Sequence, residues 1–349
     1  MKIKDFIFGI VLFMTGASHG QDSYIAVTAE KGDGIYSLLR KQGVDPSETF
    51  NDFIALNFDN LRDSLHLYEG RDYKIPLVKP DSVTIVDSLQ KKSTEIKKIE
   101  GKEYSIFGEG QTVFLKSEKL KGAVYYLISG HGGPDPGAMA NYGKGKIAED
   151  EYAYDITLRL AKELLSHGAT VYIIIRDLND GIRDERILNI DHDEVAYPDK
   201  VIPLNHLARL KQRVDIVNDL HRKHSGQFQR LIVTHVDSRS KGQNIDAFFY
   251  HHEQSKNGKK LAESIHQTFQ KKYKKYQPNR TYEGTFSDRT GLYLVRNTHP
   301  AMAYIEIGNI KNQKDQRRIL EPDNRQALAK WISEGVILDY EGGEIGPIR

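Results

Sequence analysis

From about Leu120 to Tyr340 the chain alternates short apolar runs with amphipathic stretches, and this alternation limits the fold more than any other feature. Ala123 to Ile128, Val171 to Ile175, Leu231 to His235, Ala247 to His251, Leu292 to Val295 and Met302 to Ile307 read as strands. Runs as apolar as Ala123 to Ile128 suit strands buried on both faces. Between the strands, Ala153, Ile156, Leu160 and Leu164 share one helical face that stops at Gly168. Leu207, Leu210, Val214, Val217 and His221 form a second face ending at Gly226, Leu261, Ala262, Ile265 and Phe269 a third, and Ala327, Trp331 and Ile332 a last. Period-3.6 stripes between buried strands predict crossover helices. The expected fold is therefore an α/β three-layer sandwich with a mostly parallel sheet flanked by helices over residues 120–342.

In such a sheet chemistry collects beyond the carboxyl ends of the strands. Four residues fall there. His131 follows the first strand, Glu149 precedes the first long helix, His235 ends the Leu231 strand, and Glu306 lies near the end of the Met302 strand. Two imidazoles and a carboxylate are the usual ligands of a catalytic zinc ion that keeps one position open. Such an ion acidifies water and polarises a scissile carbonyl. A further carboxylate, here Glu306, would move the proton. A histidine after an apolar strand is also found as a loop or core residue, so periodicity alone leaves both readings open. The glycines narrow the choice. Ser129-Gly130-His131-Gly132-Gly133, followed by Pro134-Asp135-Pro136-Gly137, demands backbone conformations open mainly to glycine and holds the histidine in a fixed turn.

Composition removes other classes. With 50 basic and 48 acidic side chains the formal net charge is +2, so no concentrated basic face for nucleic acid is expected. The chain has no cysteine. Disulfides are excluded, and a metal site must use histidine and carboxylate. Lys2 and Lys4, the apolar run Phe6 to Phe13 and the small residues Ser18 and Gly20 form a signal-peptide pattern over residues 1–20, too short for a comfortable membrane span. An uncleaved anchor is the alternative. Nothing further along approaches a membrane span, so the mature protein is expected in the periplasm or cell wall.

At this point the sequence resembles a known family. His131-Gly132-Gly133-Pro134-Asp135-Pro136-Gly137-Ala138 is similar to the opening signature of the zinc-dependent N-acetylmuramoyl-L-alanine amidases called amidase_3. The likeness continues in order through Glu149 ahead of Asp155 to Leu160, Val171 to Asp177, Leu210 to Asn218, Thr234 to Ser238 and Ile305 to Asn309. It implies His131, Glu149 and His235 as zinc ligands and Glu306 as the catalytic residue, the same positions that the strand ends suggest. It also implies hydrolysis of the amide between the lactyl group of N-acetylmuramic acid and L-alanine in peptidoglycan, by a monomer whose protein activator, if any, is unknown. Rival readings are another zinc peptidase acting on wall peptides and a non-enzymatic wall-binding protein. The sequence departs from the family at Val236-Asp237, Asn309 and Lys311. Asp237 either accepts a hydrogen bond from a ligating ring or caps the strand end facing solvent. Leu178 to Asn205 is longer than ordinary loops. It holds Asp191, His192, Asp193 and Glu194, and His192, Asp193 and Glu194 are read as a lid over the site or as a solvated insertion.

Residues 23–78 read as strand, helix, helix, strand. Lys31-Gly32-Asp33-Gly34-Ile35-Tyr36-Ser37-Leu38, Ala55-Leu56-Asn57 and Tyr73-Lys74-Ile75-Pro76 resemble the landmarks of a LysM module, a small βααβ domain. The likeness implies binding to glycan that contains N-acetylglucosamine. Residues 79–119, rich in Lys, Glu, Ser and Asp at first, read as a linker with weak strand alternation from Tyr104 to Leu115.

Overall fold

The structure is a computed structural model, and it describes residues 24–30, 33–44, 46–61, 67–76, 101–108, 111–238 and 244–342. The signal-peptide reading, Lys31-Gly32 and most of the linker lie outside these residues. The chain divides into two compact units, residues 1–94 and 95–349.

In the first unit β1 (Tyr24–Thr28), α1 (Ile35–Lys41), α2 (Pro46–Asn57) and β2 (Asp72–Pro76) follow one another, and β1 pairs antiparallel with β2. Leu38, Leu39, Phe53, Tyr73 and Ile75 form its core. Asn57 fastens helix to strand. Its side chain accepts from the Lys74 N–H at 2.7 Å and donates to the Lys74 carbonyl at 2.8 Å. A buried amide satisfied on both sides fixes register as well as burial.

The second unit opens with the short hairpin β3 (Lys102–Glu103) and β4 (Thr112–Val113). Phe107 and Val113 pack into the main core, so the stretch read as linker supplies core residues from about position 101. There follow β5 (Ala123–Ser129), β6 (Met139–Tyr142), β7 (Gly145–Ala148), α3 (Glu149–Ser166), β8 (Thr170–Ile173), β9 (Ile175–Arg176), β10 (Val195–Ala196), β11 (Lys200–Val201), α4 (His206–Lys223) and β12 (Phe228–Asp237). Then come β13 (Phe248–His251), α5 (Lys256–Tyr276), β14 (Thr285–Asp288), α6 (Tyr293–Asn297), β15 (Ala301–Asn309), α7 (Gln313–Leu320) and α8 (Pro322–Glu341).

Six strands form the central sheet in the order β14-β13-β15-β12-β5-β8. Pairing is parallel throughout except between β13 and β15. Alternate residues of β5 feed opposite layers. Ala123, Tyr125 and Leu127 join the core beneath α3, α5 and α8, while Val124, Tyr126 and Ile128 join the core beneath α4. The sandwich expected from the alternation is therefore the fold observed. One element differs. Leu292 to Val295, read as a strand, opens the short helix α6, and the edge strand is Thr285–Asp288. Four apolar residues in a row do not distinguish a strand from a buried helical turn. No helix of the described residues is long and apolar enough to cross a membrane.

Candidate active site

The parallel strands β5, β12 and β15 end at one edge, and the parallel register sets His235 directly beside Glu306. Beyond β5 the chain turns through Gly130. His131 takes φ 65°, and Gly132 and Gly133 take 94° and 65°. A left-handed histidine is uncommon and persists only where its surroundings hold it. Here three contacts do so. The Arg213 guanidinium of α4 donates to the His131 carbonyl at 2.6 Å, Nδ1 of the ring lies 3.0 Å from Asp135, and the Gly132 N–H donates to the Asp135 carbonyl at 2.9 Å.

Glu149 is the first residue of α3, not a residue ahead of it. A carboxylate in a first turn faces unpaired amides and the positive end of the helix dipole. Its Oε2 accepts from the Ala138 N–H at 2.9 Å and its Oε1 from the Val236 N–H at 3.0 Å. The same two oxygens face the histidines: Oε2 lies 3.3 Å from His131 Nε2, and Oε1 lies 2.8 Å from His235 Nδ1. His131, Glu149 and His235 thus place ligand atoms within 4.8 Å of one another. Tyr304 stacks on the His235 ring at 4.7 Å. Glu149 and Glu306 are buried, at 4% and 5% exposure, and the His131 side chain keeps 27%. The cluster is anchored from within and open on one side.

Charge is strongly coupled here. Burial works against a charged His131, yet its bonds to Asp135 and Glu149 outweigh that and raise its pKa to about 10. Burial alone would raise Glu149; the two imidazoles hold it below the usual carboxylate range. Burial lowers His235, with Glu149 opposing. One anion shared by two bases is the electrostatic complement of a cation.

The other sequence-singled residues fall around this centre. Asp237 ends β12, is 4% exposed and pairs in register with Asn309, so it is buried rather than solvent-facing. In the 178–205 segment the Glu194 Oε2 accepts from the Gly133 N–H at 2.6 Å, and His192 Nδ1 lies 3.1 Å from the Gly133 carbonyl. Asp193 accepts from Asn179 at 2.7 Å. The segment contains β10 and β11, which join β9 in a small sheet; it lies against the glycine turn and is not a bare solvated loop. Sequence reasoning missed Asp135 and Arg209 as positioning residues. Arg209 Nη2 donates to Asp135 Oδ2 at 2.8 Å, and an acid four residues after a histidine was the available signal. It also missed the β6–β7 hairpin, which with Lys311 and Gln316 borders a cleft of about 470 Å³.

Sheet, turn and cluster together define an α/β enzyme with a metal-competent imidazole–carboxylate centre at the carboxyl edge of its sheet. A family model described as N-acetylmuramoyl-L-alanine amidase, Amidase_3, matches residues 126–337. The germination-specific N-acetylmuramoyl-L-alanine amidase of Bacillus subtilis is 24% identical over 222 residues, which span 62% of this chain and 80% of the relative. Among solved structures, the CwlD amidase of Clostridioides difficile in complex with the GerS lipoprotein is 20% identical, covering 63% of this chain and 99% of that one, with a TM-score of 0.48. The amidase AmiC2 of Nostoc punctiforme is likewise 20% identical, covering 65% and 99%, with a TM-score of 0.44. The chain belongs to the Amidase_3 family of N-acetylmuramoyl-L-alanine amidases, and its activity is hydrolysis of the peptidoglycan amide that this class cleaves.

Proposed function

We propose that this amidase is zinc-dependent, with His131, Glu149 and His235 as the ligands and Glu306 as the proton-transferring residue. The observation that carries this reading is the approach of the three ligand atoms to within 4.8 Å of one another, one strand away from Glu306. The donor set fits zinc: two imidazole nitrogens and one carboxylate oxygen, with no thiolate needed. The space for it depends on missing side chains. A Cβ at Gly137 would fall 2.7 Å from the His131 ring and 2.9 Å from Glu149 Oε2. Zinc bound there supplies a Lewis acid that polarises the scissile carbonyl and makes water acidic near neutral pH.

The protein's own residues do the rest. Asp135, locked by Arg209, holds the Nδ1 edge of His131 and leaves Nε2 toward Glu149. The amides of Ala138 and Val236 keep Glu149 in place. Glu306 takes the proton of the attacking water and delivers it to the departing L-alanine nitrogen, so the amine leaves neutral. Asp237, buried at the same edge, is assigned to orienting this cluster. Residues 192–194 are assigned to a wall of the substrate approach.

The first unit is proposed to be a LysM-type glycan binder in an exported, wall-associated protein whose substrate is peptidoglycan. A weak glycan module tethered to a hydrolase raises local substrate concentration. The test is Glu306→Gln. The variant should retain one zinc per chain by metal analysis and lose turnover on peptidoglycan. Full activity in that variant would remove Glu306 from its role.

A further inference from the structure

Next to the histidine pair lies a second group of ionisable side chains, distinct from the proposed zinc ligands and from Glu306. Asp150, Glu151 and Glu194 place carboxylate oxygens within 4.8 Å of one another, and so do Asp177, Asp191 and Glu194. Glu194 is common to both sets. Asp150, Glu151 and Glu194 are all buried, at 1%, 2% and 5% exposure. Their hydrogen bonds leave acceptor capacity open. Glu151 accepts from the Asp191 N–H at 3.1 Å and from Arg183 at 2.9 Å. Glu194 accepts from the Gly133 N–H, and Asp150 Oδ1 accepts from the Glu151 N–H at 3.0 Å. Among the described residues, Asp150 Oδ2, fully buried, meets no hydrogen-bond partner, and neither does Asp191 Oδ1. Arg183 also pairs with Asp180, outside the cluster, so Glu151 shares its one counter-charge and no guanidinium pairs with Asp150 or Glu194 among the described residues.

Buried carboxylates without partners require either protons or a cation. We propose that Asp150, Glu151 and Glu194 form a binding site for a hard divalent cation, calcium, separate from the histidine centre. The donors are all oxygens, which disfavours zinc, and two of the three residues are glutamates able to bind through both oxygens, as calcium's larger coordination number needs. Such an ion joins the start of α3 to the 178–205 segment. Because Glu194 also holds the Gly133 amide, two residues from His131, the ion would fix the segment and the glycine turn together. The proposal involves neither histidine and stands apart from the zinc reading.

The test uses the full-length protein, freed of metals and given one equivalent of zinc, titrated with calcium chloride by calorimetry and followed by thermal unfolding. One calcium per chain is expected, with a dissociation constant no weaker than the roughly 10⁻⁴–10⁻³ M of extracellular calcium modules. At about ten times that constant the unfolding temperature should rise by about 3–5 °C. Proteolytic cutting between 178 and 205 should slow. Asp150→Asn and Glu194→Gln should each weaken calcium binding at least about tenfold, whereas His235→Ala should leave it unchanged. Absence of both heat and melting shift at roughly 10 mM calcium, well above that range, would overturn the proposal, as would undiminished binding in the two carboxylate variants. Should Asp150→Asn fail to fold, Glu194→Gln and the wild-type titration still decide.

Discussion

Gly137 illustrates how single residues set this site. Its φ is 69°, which disfavours any side chain, and an added methyl would press on a ring and an oxygen assigned to the metal. Gly137→Ala is therefore expected to lower zinc affinity by about 10–100-fold, the usual effect of disturbing a ligand's support, as read by competition with a chelating dye. Retained affinity would mean that the turn yields without moving His131 or Glu149. Glu306→Gln should lower turnover by about 10²–10⁴-fold, the range of general acid–base catalysis, in peptidoglycan digestion assays. Glu194 carries a pH effect. Burial, helped by Glu151 and Asp191 and opposed by the Gly133 N–H, raises its pKa from 4.5 to about 7. The folded state thus keeps a proton that the unfolded chain has released. In calcium-free protein, the contribution of Glu194 to stability should be full below about pH 4.5 and be lost, by roughly 1–3 kcal/mol, as pH climbs through 7. Denaturant unfolding across that window should show the slope, and Glu194→Gln should reduce it, leaving the part due to Asp150, whose pKa burial raises to about 8.

The helices bind the layers through a few close contacts. Asp155 of α3 accepts from Arg159 at 2.7 Å and from Arg325 of α8 at 2.6 Å, and Arg325 also donates to the carbonyls of Leu320, Arg183 and Glu185. Arg325 is fully buried. Arg325→Leu leaves Asp155 with Arg159 and the Arg183 N–H but removes its second guanidinium and the side-chain donor to the Leu320 and Glu185 carbonyls, and should destabilise the fold by about 2–4 kcal/mol in denaturant unfolding. A loss under about 1 kcal/mol would show that water repairs the gap. Much of this element-level architecture was legible in the sequence. The strands Ala123 to Ile128 and Met302 to Ile307 are apolar on both faces because both faces are covered, and their ends located His131 and Glu306. Glu149 was legible only by its place before a helix. The 178–205 segment was legible as an insertion, but its small sheet was not, since β10 and β11 span two residues each and carry no period. The α6 reading failed because Leu292 to Val295 is too short to show one. Nothing local in Asp150 or Glu151 announces that Glu194, some forty positions on, folds against them.

Across the whole molecule the two compact units suggest a division of labour. If the βααβ unit serves as glycan binder, removing residues 1–94 should leave cleavage of soluble wall fragments nearly unchanged and sharply reduce co-sedimentation with insoluble peptidoglycan. Equal co-sedimentation would place wall affinity in the amidase unit. The reaction itself is most directly examined by mass spectrometry of peptidoglycan digested with the zinc-loaded protein. Intact stem peptides with a free L-alanine amino terminus, together with glycan bearing a free lactyl carboxylate, are the predicted products. Amino acids or peptides cut from within the stem, with the lactyl amide still joined, would contradict it.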